Sequence, residues 1–385
     1  MVNERIMRST NNRIAKNRVG FEICMAAYLL PALLGRFRGV LPVALCLLVA
    51  ACGGGGSGGG FSGSTRTYLM GFSPIPPKPD QTLQLPTLDA TLAHSDAGLI
   101  QLSIPWTVLL SGISAVTEVT QVRLPLVNYY RANGKKIVVA LDVTDGLNRA
   151  QEDPALVGAG RSITEPAIQQ LYLDYVLAVN SILRPDYMSL AAETNLIRLV
   201  AQPALYSAVV AMVNSAANQL RNVSGSTRLM VSVQVEAAWG ALQGGTYTGV
   251  AQDRADFPFI DVLGLSSYPY FAGYTDPAAI PDNYYQRLVE IAPLPVIVLE
   301  GGWPSVTVGN VASTPALQSA YILRQAELLD ATDARAVFQI TFTDLDPAFW
   351  PAGIVPFANL GLVDVNLNPK AALAAWDSVL GRPLQ

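Results

Sequence analysis

The stretch PVIVLEGGWPS, residues 295–305, decides how we interpret the fold. Four aliphatic residues, 296–299, lead directly into Glu300. A short apolar run bounded by Pro and Gly is typical of a strand buried on both faces, as in a parallel sheet. Gly301 and Gly302 allow the backbone to turn sharply after the strand. Glu300 would then lie at the carboxyl-terminal tip of a buried strand; an ordinary solvated loop acid is the alternative.

Outward from this stretch, strand-like and helix-like segments alternate from Thr67 to the end of the chain. The other predicted strands are 67–74, 98–106, 136–145, 186–195, 228–239, 259–270 and 336–346. The clearest predicted helices are 165–183, 202–220, 313–331 and 368–380. Ser313 or Thr314 is suited to cap the third of these helices, with Pro315 at its first position.

Eight strand–helix units in roughly 320 residues fit a single-domain (β/α)8 TIM barrel, of fold class α/β, over residues 67–385. A doubly wound open sheet is the rival architecture. Such a sheet usually carries a glycine fingerprint after its first strand, and GFSPIPP (71–77) is not one. The sequence therefore favours the barrel.

Residues 1–51 have the pattern of a secretory signal, with Met7 or Met25 as alternative starts. The apolar run 40–51 ends in VAAC, which resembles the lipobox of bacterial lipoproteins and implies acylation of Cys52. A transmembrane anchor is the alternative, but the run is shorter than the roughly 20 residues of a span. Residues 52–66 comprise the cysteine that we expect to be lipidated and a flexible Gly/Ser-rich tether. We expect lipid anchoring in the cell envelope, at the outer membrane because Gly53 is not the retaining Asp.

Composition limits the partners. All three cysteines, Cys24, Cys46 and Cys52, lie in the signal or at the lipid site, which leaves the barrel no disulfide and no thiolate metal site. The net charge is −4. Residues 1–51 hold seven Lys or Arg and two Asp or Glu, so the remainder carries −9. Such a chain is unsuited to nucleic acid, which needs a basic surface.

In a barrel of this kind, side chains at the carboxyl ends of the strands converge on one pocket. Acids and aromatic rings are the side chains that these tips supply. Carboxylates bind sugar hydroxyls and flat rings stack on sugar C–H faces, so the pocket suits a carbohydrate; packing is the alternative for each ring. The candidate substrate-binding residues are Trp106, Asp142, Asn195, Glu236, Trp239, Tyr268, Tyr270 and Trp303.

Four segments carry a family resemblance: AAETN, DVLGLSSYPYF, LEGGWPS and FANLGLVDVNLNPKAALAAW. In this order and spacing they resemble the clan-A glycoside hydrolases, nearest to the arabinogalactan endo-galactanase group. The resemblance implies a retaining hydrolase of β-linked glycans, with Glu193 as acid/base and Glu300 as nucleophile. It also implies that Tyr268, or else Tyr270, contacts the nucleophile. As the acid, Glu193 would be protonated while Glu300 stays ionised.

One departure leaves the activity open. The clan places Asn immediately before the acid/base, where it binds the sugar 2-hydroxyl, and this chain has Ala192. Asn195 could replace that contact, the enzyme could be weak, or the protein could be a catalytically silent glycan-binding barrel. A structural ion pair is the alternative role for Glu193.

Other chemistries fit the sequence less well. The single histidine, His94, falls before the second strand, away from the pocket, so a Ser-His-Asp triad and a histidine metal cluster are not expected. DVNLN (364–368) begins like a calcium loop, but Pro369 stands where glycine is required. We expect no metal and no cofactor, with an oligosaccharide or polysaccharide as the partner.

Overall fold

The computed structural model describes residues 65–223 and 226–385. The predicted signal (1–51), the lipidation site at Cys52 and the tether except for Thr65 and Arg66 lie outside the described residues. None of the helices in these two ranges combines the length and apolar character needed to cross a bilayer.

A parallel sheet of nine strands forms the centre of the fold, in the order β7-β6-β3-β2-β1-β11-β10-β9-β8. A separate antiparallel hairpin pairs β4 with β5. The strands are β1 (Leu69–Phe72), β2 (Ala97–Ser103), β3 (Lys136–Asp142), β4 (Thr144–Asp145), β5 (Asn148–Glu152), β6 (Tyr187–Ser189), β7 (Arg228–Met230), β8 (Ser232–Gln234), β9 (Leu263–Ser267), β10 (Val296–Gly301) and β11 (Ala334–Gln339).

The sheet closes because β7 and β8 are two pieces of one strand, separated only by Val231. β7 pairs with β6 on one side, and β8 pairs with β9 on the other. The carbonyl of Val231 accepts a hydrogen bond from the Gly264 amide at 3.0 Å, which continues the ladder across the break. Eight strand positions therefore surround the interior, and the predicted (β/α)8 barrel is confirmed.

Helices surround the barrel. The α-helices are α1 (Gln81–Ala93), α2 (Trp106–Leu110), α3 (Ala115–Glu118), α4 (Leu124–Ala132), α5 (Pro154–Gly158), α6 (Pro166–Ala178), α7 (Thr194–Val200), α8 (Pro203–Val223), α9 (Val235–Ala238), α10 (Ala251–Asp256), α11 (Gln286–Val289), α12 (Pro315–Asp330) and α13 (Ala371–Leu380). Short π-helices extend α3 (Val119–Arg123) and α6 (Val179–Leu183), and 3₁₀ turns cover Ala241–Gln243, Pro269–Ala272, Pro277–Ala279 and Ala352–Phe357. Thr314, one of the two predicted cap residues, caps α12 by accepting a hydrogen bond from the Leu317 amide.

All the predicted strands except the seventh, which contains Glu300, extend too far at their carboxyl ends. The fourth was expected to reach residue 195, but β6 ends at Ser189 and α7 has begun by Thr194. The fifth was expected to reach residue 239, but Val235–Ala238 is helical. Apolar periodicity continues through these turns because the residues remain buried, so periodicity alone does not mark where the strands end.

The core has an inner and an outer layer. Inside the barrel pack Leu99, Val138, Met230, Ile297, Leu299 and Phe338. Val296 and Val298 point the opposite way, into the layer beneath the helices. Alternation along a strand would therefore point Glu300 outward as well.

A β-bulge in β10 changes that direction. Val298 pairs with Leu265 and Glu300 pairs with Ser266, the very next residue on β9, so Leu299 is an extra residue on its strand. Bulges of this type re-aim the side chains that follow them. Glu300 accepts a hydrogen bond at 3.1 Å from Nε2 of Gln101, which lies on β2, three strands away. The carboxyl group of Glu300 thus faces the barrel interior.

Candidate active site

Glu193 lies just before α7, at the carboxyl end of β6. Its backbone adopts a left-handed conformation, with φ 48° and ψ 47°. This conformation costs a residue other than Gly roughly 1 kcal/mol. The Glu193 amide donates to the Ser232 hydroxyl at 2.9 Å, which fixes the turn from the neighbouring strand. The strained turn aims the side chain into the mouth of the barrel, where it is 8% exposed.

Arg149 makes an ion pair with Glu193. Its Nε donates to Oε2 of Glu193 at 2.8 Å, and its Nη1 donates to Oδ1 of Asp142 at 2.6 Å. A third hydrogen bond joins Nη1 to Oγ1 of Thr144 at 3.2 Å. Burial opposes the charge of Arg149, but Asp142 and Glu193 outweigh it and raise the pKa of the guanidinium. The ion pair that we considered as the alternative role for Glu193 is therefore present.

The sequence analysis did not single out Arg149. The residue lies on β5, in the hairpin that follows the third barrel strand, 44 residues before Glu193. An isolated basic residue in the polar stretch DGLNRAQED, 145–153, has no periodicity that would place it inside a barrel. The one available signal was that Arg149 follows a predicted strand, 136–145, whose tip carries two acids, Asp142 and Asp145.

Glu300 lies opposite Glu193 and is partly exposed. Burial raises the pKa of Glu300 to about 7, and the negative charge of Glu193 adds to this effect, while Arg149 and Ser266 act against it. The ionised Glu300 expected from the sequence is therefore the major form only above about pH 7.

The Ser266 hydroxyl lies between the two glutamates. It donates to Oε1 of Glu193 at 2.6 Å. Ser266 is also the ladder partner of Glu300, and its hydroxyl acts to lower the pKa of Glu300. One side chain on β9 thus connects the acids from β6 and β10. The structure brings together the two residues that the sequence proposed as the catalytic pair.

Glu236 is fully buried in α9, directly after β8. Its Oε1 accepts from the Tyr268 amide at 2.9 Å and from the Tyr284 hydroxyl at 2.8 Å, and its Oε2 accepts from Nε2 of Gln234 at 2.5 Å. Burial raises the pKa of Glu236 to about 7 although the Tyr268 and Tyr284 donors lower it. Glu236 therefore connects the ends of β8 and β9 and has no exposed edge for a ligand.

Asn195 and Asp142, two further predicted substrate-binding residues, differ in how much of each remains free. Both ends of the Asn195 amide are bonded to the backbone of Gln234, at 2.7 and 2.8 Å. One amide hydrogen and the amide oxygen of Asn195 are thus bonded to the backbone, and the side chain is buried. Asp142 is partly exposed at the mouth of the barrel and binds Arg149.

The five predicted aromatic residues are packed against protein. Trp106, Tyr268, Tyr270 and Trp303 are at most 4% exposed. Trp239 is partly exposed, but the Tyr284 ring stacks on it at 5.2 Å and the Arg287 guanidinium lies 4.9 Å from its ring centre. Four of these rings are therefore buried, and the Trp239 ring is in contact with Tyr284 and Arg287.

Two other rings beside Tyr268 remain accessible. Phe271 is 36% exposed and Phe357 is partly exposed, with ring centroids 5.6 and 5.1 Å from that of Tyr268. They lie in the short 3₁₀ turns Pro269–Ala272 and Ala352–Phe357, which apolar periodicity does not mark. The sequence analysis did not propose either ring as a site residue.

Gly301 and Gly302 allow the chain to pass close to its neighbours. A Cβ at Gly301 would lie 2.6 Å from the Ser267 carbonyl oxygen, and Gly302 has φ 152°. A side chain at Gly301 would thus clash with the backbone of β9, and Gly302 has a φ value that residues with a side chain rarely adopt. Within residues 65–223 and 226–385, no group of three or more His, Cys, Asp or Glu side chains is arranged to hold a metal ion.

No protein-family model and no curated protein matches the sequence. Solved structures do match the fold. An exo-beta-1,4-mannosidase from Opitutaceae bacterium strain TAV5 superposes with a TM-score of 0.62 at 15% identity, over 83% of this chain and 60% of the mannosidase. GH5_18 from Bifidobacterium longum, in complex with Manb1-4GlcNAc, gives 0.54 at 15% identity over 77% and 73%. A beta-D-glucuronidase from Dictyoglomus thermophilum gives 0.53 at 12% identity over 81% and 50%.

At these sequence identities the matches establish the fold, but they do not establish an activity or a substrate. The chain spans about 60% of the length of the mannosidase and half that of the glucuronidase. The neighbours are glycosidases built on the same barrel, whose carboxyl-terminal strand ends form the active site in such enzymes.

Proposed function

We propose that the protein is a retaining glycoside hydrolase acting on a β-linked glycan, with Glu193 as acid/base and Glu300 as nucleophile. The observation that carries the proposal is the pair of glutamates that face one hydroxyl, Ser266, at the mouth of the barrel. Two carboxyl groups at the tips of different strands are the minimal machinery for cleaving a glycosidic bond.

The shared hydroxyl favours retention of configuration. Ser266 donates to Glu193 at 2.6 Å and is the ladder partner of Glu300, so both carboxyl groups lie beside one short side chain. Retaining enzymes hold their carboxyl groups about 5–5.5 Å apart, whereas inverting enzymes need about 6.5–9.5 Å to admit a water molecule. The arrangement around Ser266 fits the shorter separation.

Each glutamate has a defined task in this mechanism. Glu193 donates a proton to the leaving oxygen while a carboxylate oxygen of Glu300 attacks the anomeric carbon and forms a glycosyl ester. Glu193 then takes a proton from water, which hydrolyses the ester and restores both groups. Gln101 donates to the Glu300 carboxyl and orients it for attack.

The substrate and the location are parts of the same proposal. The negative charge of the chain disfavours polyanions, and Phe271 and Phe357 are the accessible rings on which a sugar could stack. We place the protein in the cell envelope, at the outer membrane, with lipid on Cys52. A Cys52→Ala protein that remained on membranes after carbonate washing would overturn lipid anchoring.

A catalytically silent glycan-binding barrel is the second candidate. Two observations favour it: Ala192 replaces the Asn of the clan, and Asn195 is engaged by the Gln234 backbone. Glycan binding without turnover by the unaltered protein would decide for this candidate.

The test uses Glu300→Ala and Glu300→Gln with aryl β-glycosides and polysaccharides as substrates. We expect both changes to lower turnover by at least about 10³-fold, since no nucleophile remains. Azide should partly restore Glu300→Ala on an activated substrate and give the inverted product. Glu290→Gln, which removes an exposed acid, is the control and should leave turnover unchanged. Near-normal turnover by Glu300→Gln would exclude the nucleophile role.

A further inference from the structure

We propose that the loop of residues 346–357 forms a strap across the mouth of the barrel, and that this strap makes the site a pocket for the end of a glycan chain. The protein then removes sugars from the non-reducing end of a chain and does not cut within it. This inference rests on the proposed function and deepens it, since it states which part of a glycan the site accepts.

The strap is a surface loop whose two ends meet. It follows β11, and the Leu345 amide donates to the Ala358 carbonyl at 2.8 Å, which closes its base. A compact loop with adjoining ends is an Ω-loop, a type that is frequently functional. None of the residues 346–357 is buried, Asp346 alone among them is charged, and three are proline. Proline restricts the backbone, so the strap keeps a defined shape although it has no buried core.

The first half of the strap is fixed to the loop that follows β1. The Pro77 carbonyl accepts hydrogen bonds from the Asp346 amide at 2.8 Å and from Nε1 of Trp350 at 2.9 Å. The Lys78 ammonium lies 5.4 Å from the centre of the Phe349 ring. Two hydrogen bonds to one carbonyl and a cation over a ring therefore hold this half in place.

The second half crosses from the β4–β5 hairpin to the turn after β9. A Cβ at Gly353 would lie 3.2 Å from Cδ1 of Leu147, in the turn of the hairpin. The Pro356 carbonyl accepts from the Tyr270 hydroxyl at 3.2 Å. Both contacts belong to the 3₁₀ turn Ala352–Phe357, in which the rise is about 2 Å per residue, so about 6 Å of chain separates them. The strap thus connects an element that follows β3 with one that follows β9.

This crossing divides the mouth of the barrel into two sides. Between β3 and β9, the closed sheet has β2, β1, β11 and β10 on one side, and β6 and the strand made of β7 and β8 on the other. The strap begins after β11, so it occupies the first side. Glu300, on β10, lies on the side that the strap covers, and Glu193, after β6, lies on the open side.

The elements beneath the strap also contact the proposed catalytic pair. The Phe357 ring lies 5.1 Å from the Tyr268 ring. Burial, and then the charge of Glu300, raise the pKa of the Tyr268 hydroxyl well above its ordinary value. The hairpin at the other contact carries Arg149, which donates to Glu193 at 2.8 Å. The strap therefore lies over the place where the glycosidic bond is cleaved.

The position of the strap decides which end of the substrate is enclosed. In the proposed mechanism the leaving group lies beside the acid, and the sugar under attack lies beside the nucleophile. The leaving part of the chain then exits through the open side, past β6 and β8. The attacked sugar lies on the covered side, where the strap blocks continuation of the chain. The site accordingly accepts a terminal sugar and excludes the interior of a chain.

The experiment compares the unaltered protein with a variant in which residues 347–356 are replaced by Gly-Gly-Gly. Because no strap residue is buried and its ends already meet, we expect the variant to fold, which its melting temperature checks. The substrates are β-mannan, β-glucan, β-galactan and xylan as insoluble dye-linked polymers, which release dye only by internal cleavage, together with the matching oligosaccharides. The unaltered protein should release single sugars from the oligosaccharides and no dye. The shortened variant should release dye at least about 10-fold faster, because the steric block to internal chain segments is gone.

Point variants test the same strap without shortening it. Trp350→Phe combined with Tyr270→Phe removes the hydrogen bonds to Pro77 and Pro356 and keeps both rings, so it should also raise dye release. Tyr247→Phe removes a hydroxyl-to-carbonyl hydrogen bond of the same kind, between two other elements, and is the matched control. It should keep the products of the unaltered protein.

The outcomes separate the strap from the hydrolase. Dye release by the unaltered protein as fast as by the shortened variant, or single-sugar products from a folded shortened variant, would overturn the pocket and leave hydrolysis standing. If the unaltered protein turns over none of these glycans, its binding to them is measured at equal mass before and after partial acid hydrolysis. Binding that rises with the number of chain ends supports the pocket and rejects hydrolysis; binding that follows mass alone rejects both, as does the absence of any binding.

Discussion

Glu193 and Glu236 are both buried acids that follow neighbouring barrel strands, yet their surroundings differ. Glu193 has the guanidinium of Arg149 at 2.8 Å. Glu236 accepts hydrogen bonds from Tyr268, Tyr284 and Gln234, all of them neutral donors. Burial raises the pKa of Glu236 to about 7 despite these donors.

The comparison shows that hydrogen bonds alone do not keep a buried carboxylate charged at neutral pH in this protein. A cation supplies electrostatic stabilisation that neutral dipoles match only partly. The barrel mouth therefore contains one acid that is paired with a cation, Glu193, and two acids, Glu236 and Glu300, whose pKa values burial raises to about 7. The predictions below test how much the ion pair of Arg149, the burial of Glu236 and the hydroxyl of Ser266 each contribute to stability.

The largest effect should follow removal of the cation. Arg149→Met leaves the carboxylates of Asp142 and Glu193 partly or fully buried without a counter-charge, and breaking a buried pair in this way costs about 3–5 kcal/mol. Urea unfolding at pH 7.5 measures the loss. Adding Glu193→Gln to Arg149→Met should recover part of it, because the two residues interact directly. A loss below about 0.5 kcal/mol, as at a surface pair, would contradict a buried structural role for Arg149.

A second, smaller effect concerns pH. The pKa of Glu236 is raised from its ordinary 4.5 to about 7, so between these values the folded protein binds more protons than the unfolded chain. The free energy of unfolding must then fall as the pH rises from about 4.5 to about 7, by about 3 kcal/mol for this group. Glu300 and Asp253, with pKa values raised to about 7 and about 6, act in the same direction.

Glu236→Gln tests this share of the pH dependence. The variant cannot ionise, so its melting temperature should decline less between pH 5 and pH 8 than that of the unaltered protein. Glu290→Gln, which removes an exposed acid, should leave the decline as it is. An equal decline in Glu236→Gln and the unaltered protein would show that Glu236 is already charged at pH 5.

The smallest effect should come from the hydroxyl between the glutamates. Ser266→Ala removes the 2.6 Å hydrogen bond to Glu193, whose ion pair with Arg149 remains, so we expect a loss of about 1–2 kcal/mol in urea unfolding. Ser267→Ala is the comparison on the same strand: the Ser267 hydroxyl donates to Glu236 at 3.4 Å and accepts from Tyr285 at 3.1 Å, and both bonds are longer than the one from Ser266 to Glu193. A greater loss in Ser267→Ala than in Ser266→Ala would reverse the assigned importance of the two serines.

Much of the fold could be predicted because its signals are local. The apolar runs marked all eight strand positions in order, and Pro315 with Thr314 marked the start of α12. The aromatic residues were harder, since a ring at a strand end is equally suited to stacking on a ligand and to packing. Trp303 illustrates the second case: it stacks on Tyr321 at 5.4 Å and donates to Ser313.

By itself, the sequence determined the order of strands and the presence of acids at the carboxyl ends of β6 and β10, since both depend on residues adjacent in the chain. Only the tertiary structure decided where those acids point and which of them has a cation beside it. The direction of Glu300 depends on a one-residue bulge against β9, and the ion pair of Glu193 depends on an arginine 44 residues earlier in a separate hairpin. Electrostatic stabilisation depends on distance in space and on burial, and neither quantity is fixed until the barrel closes.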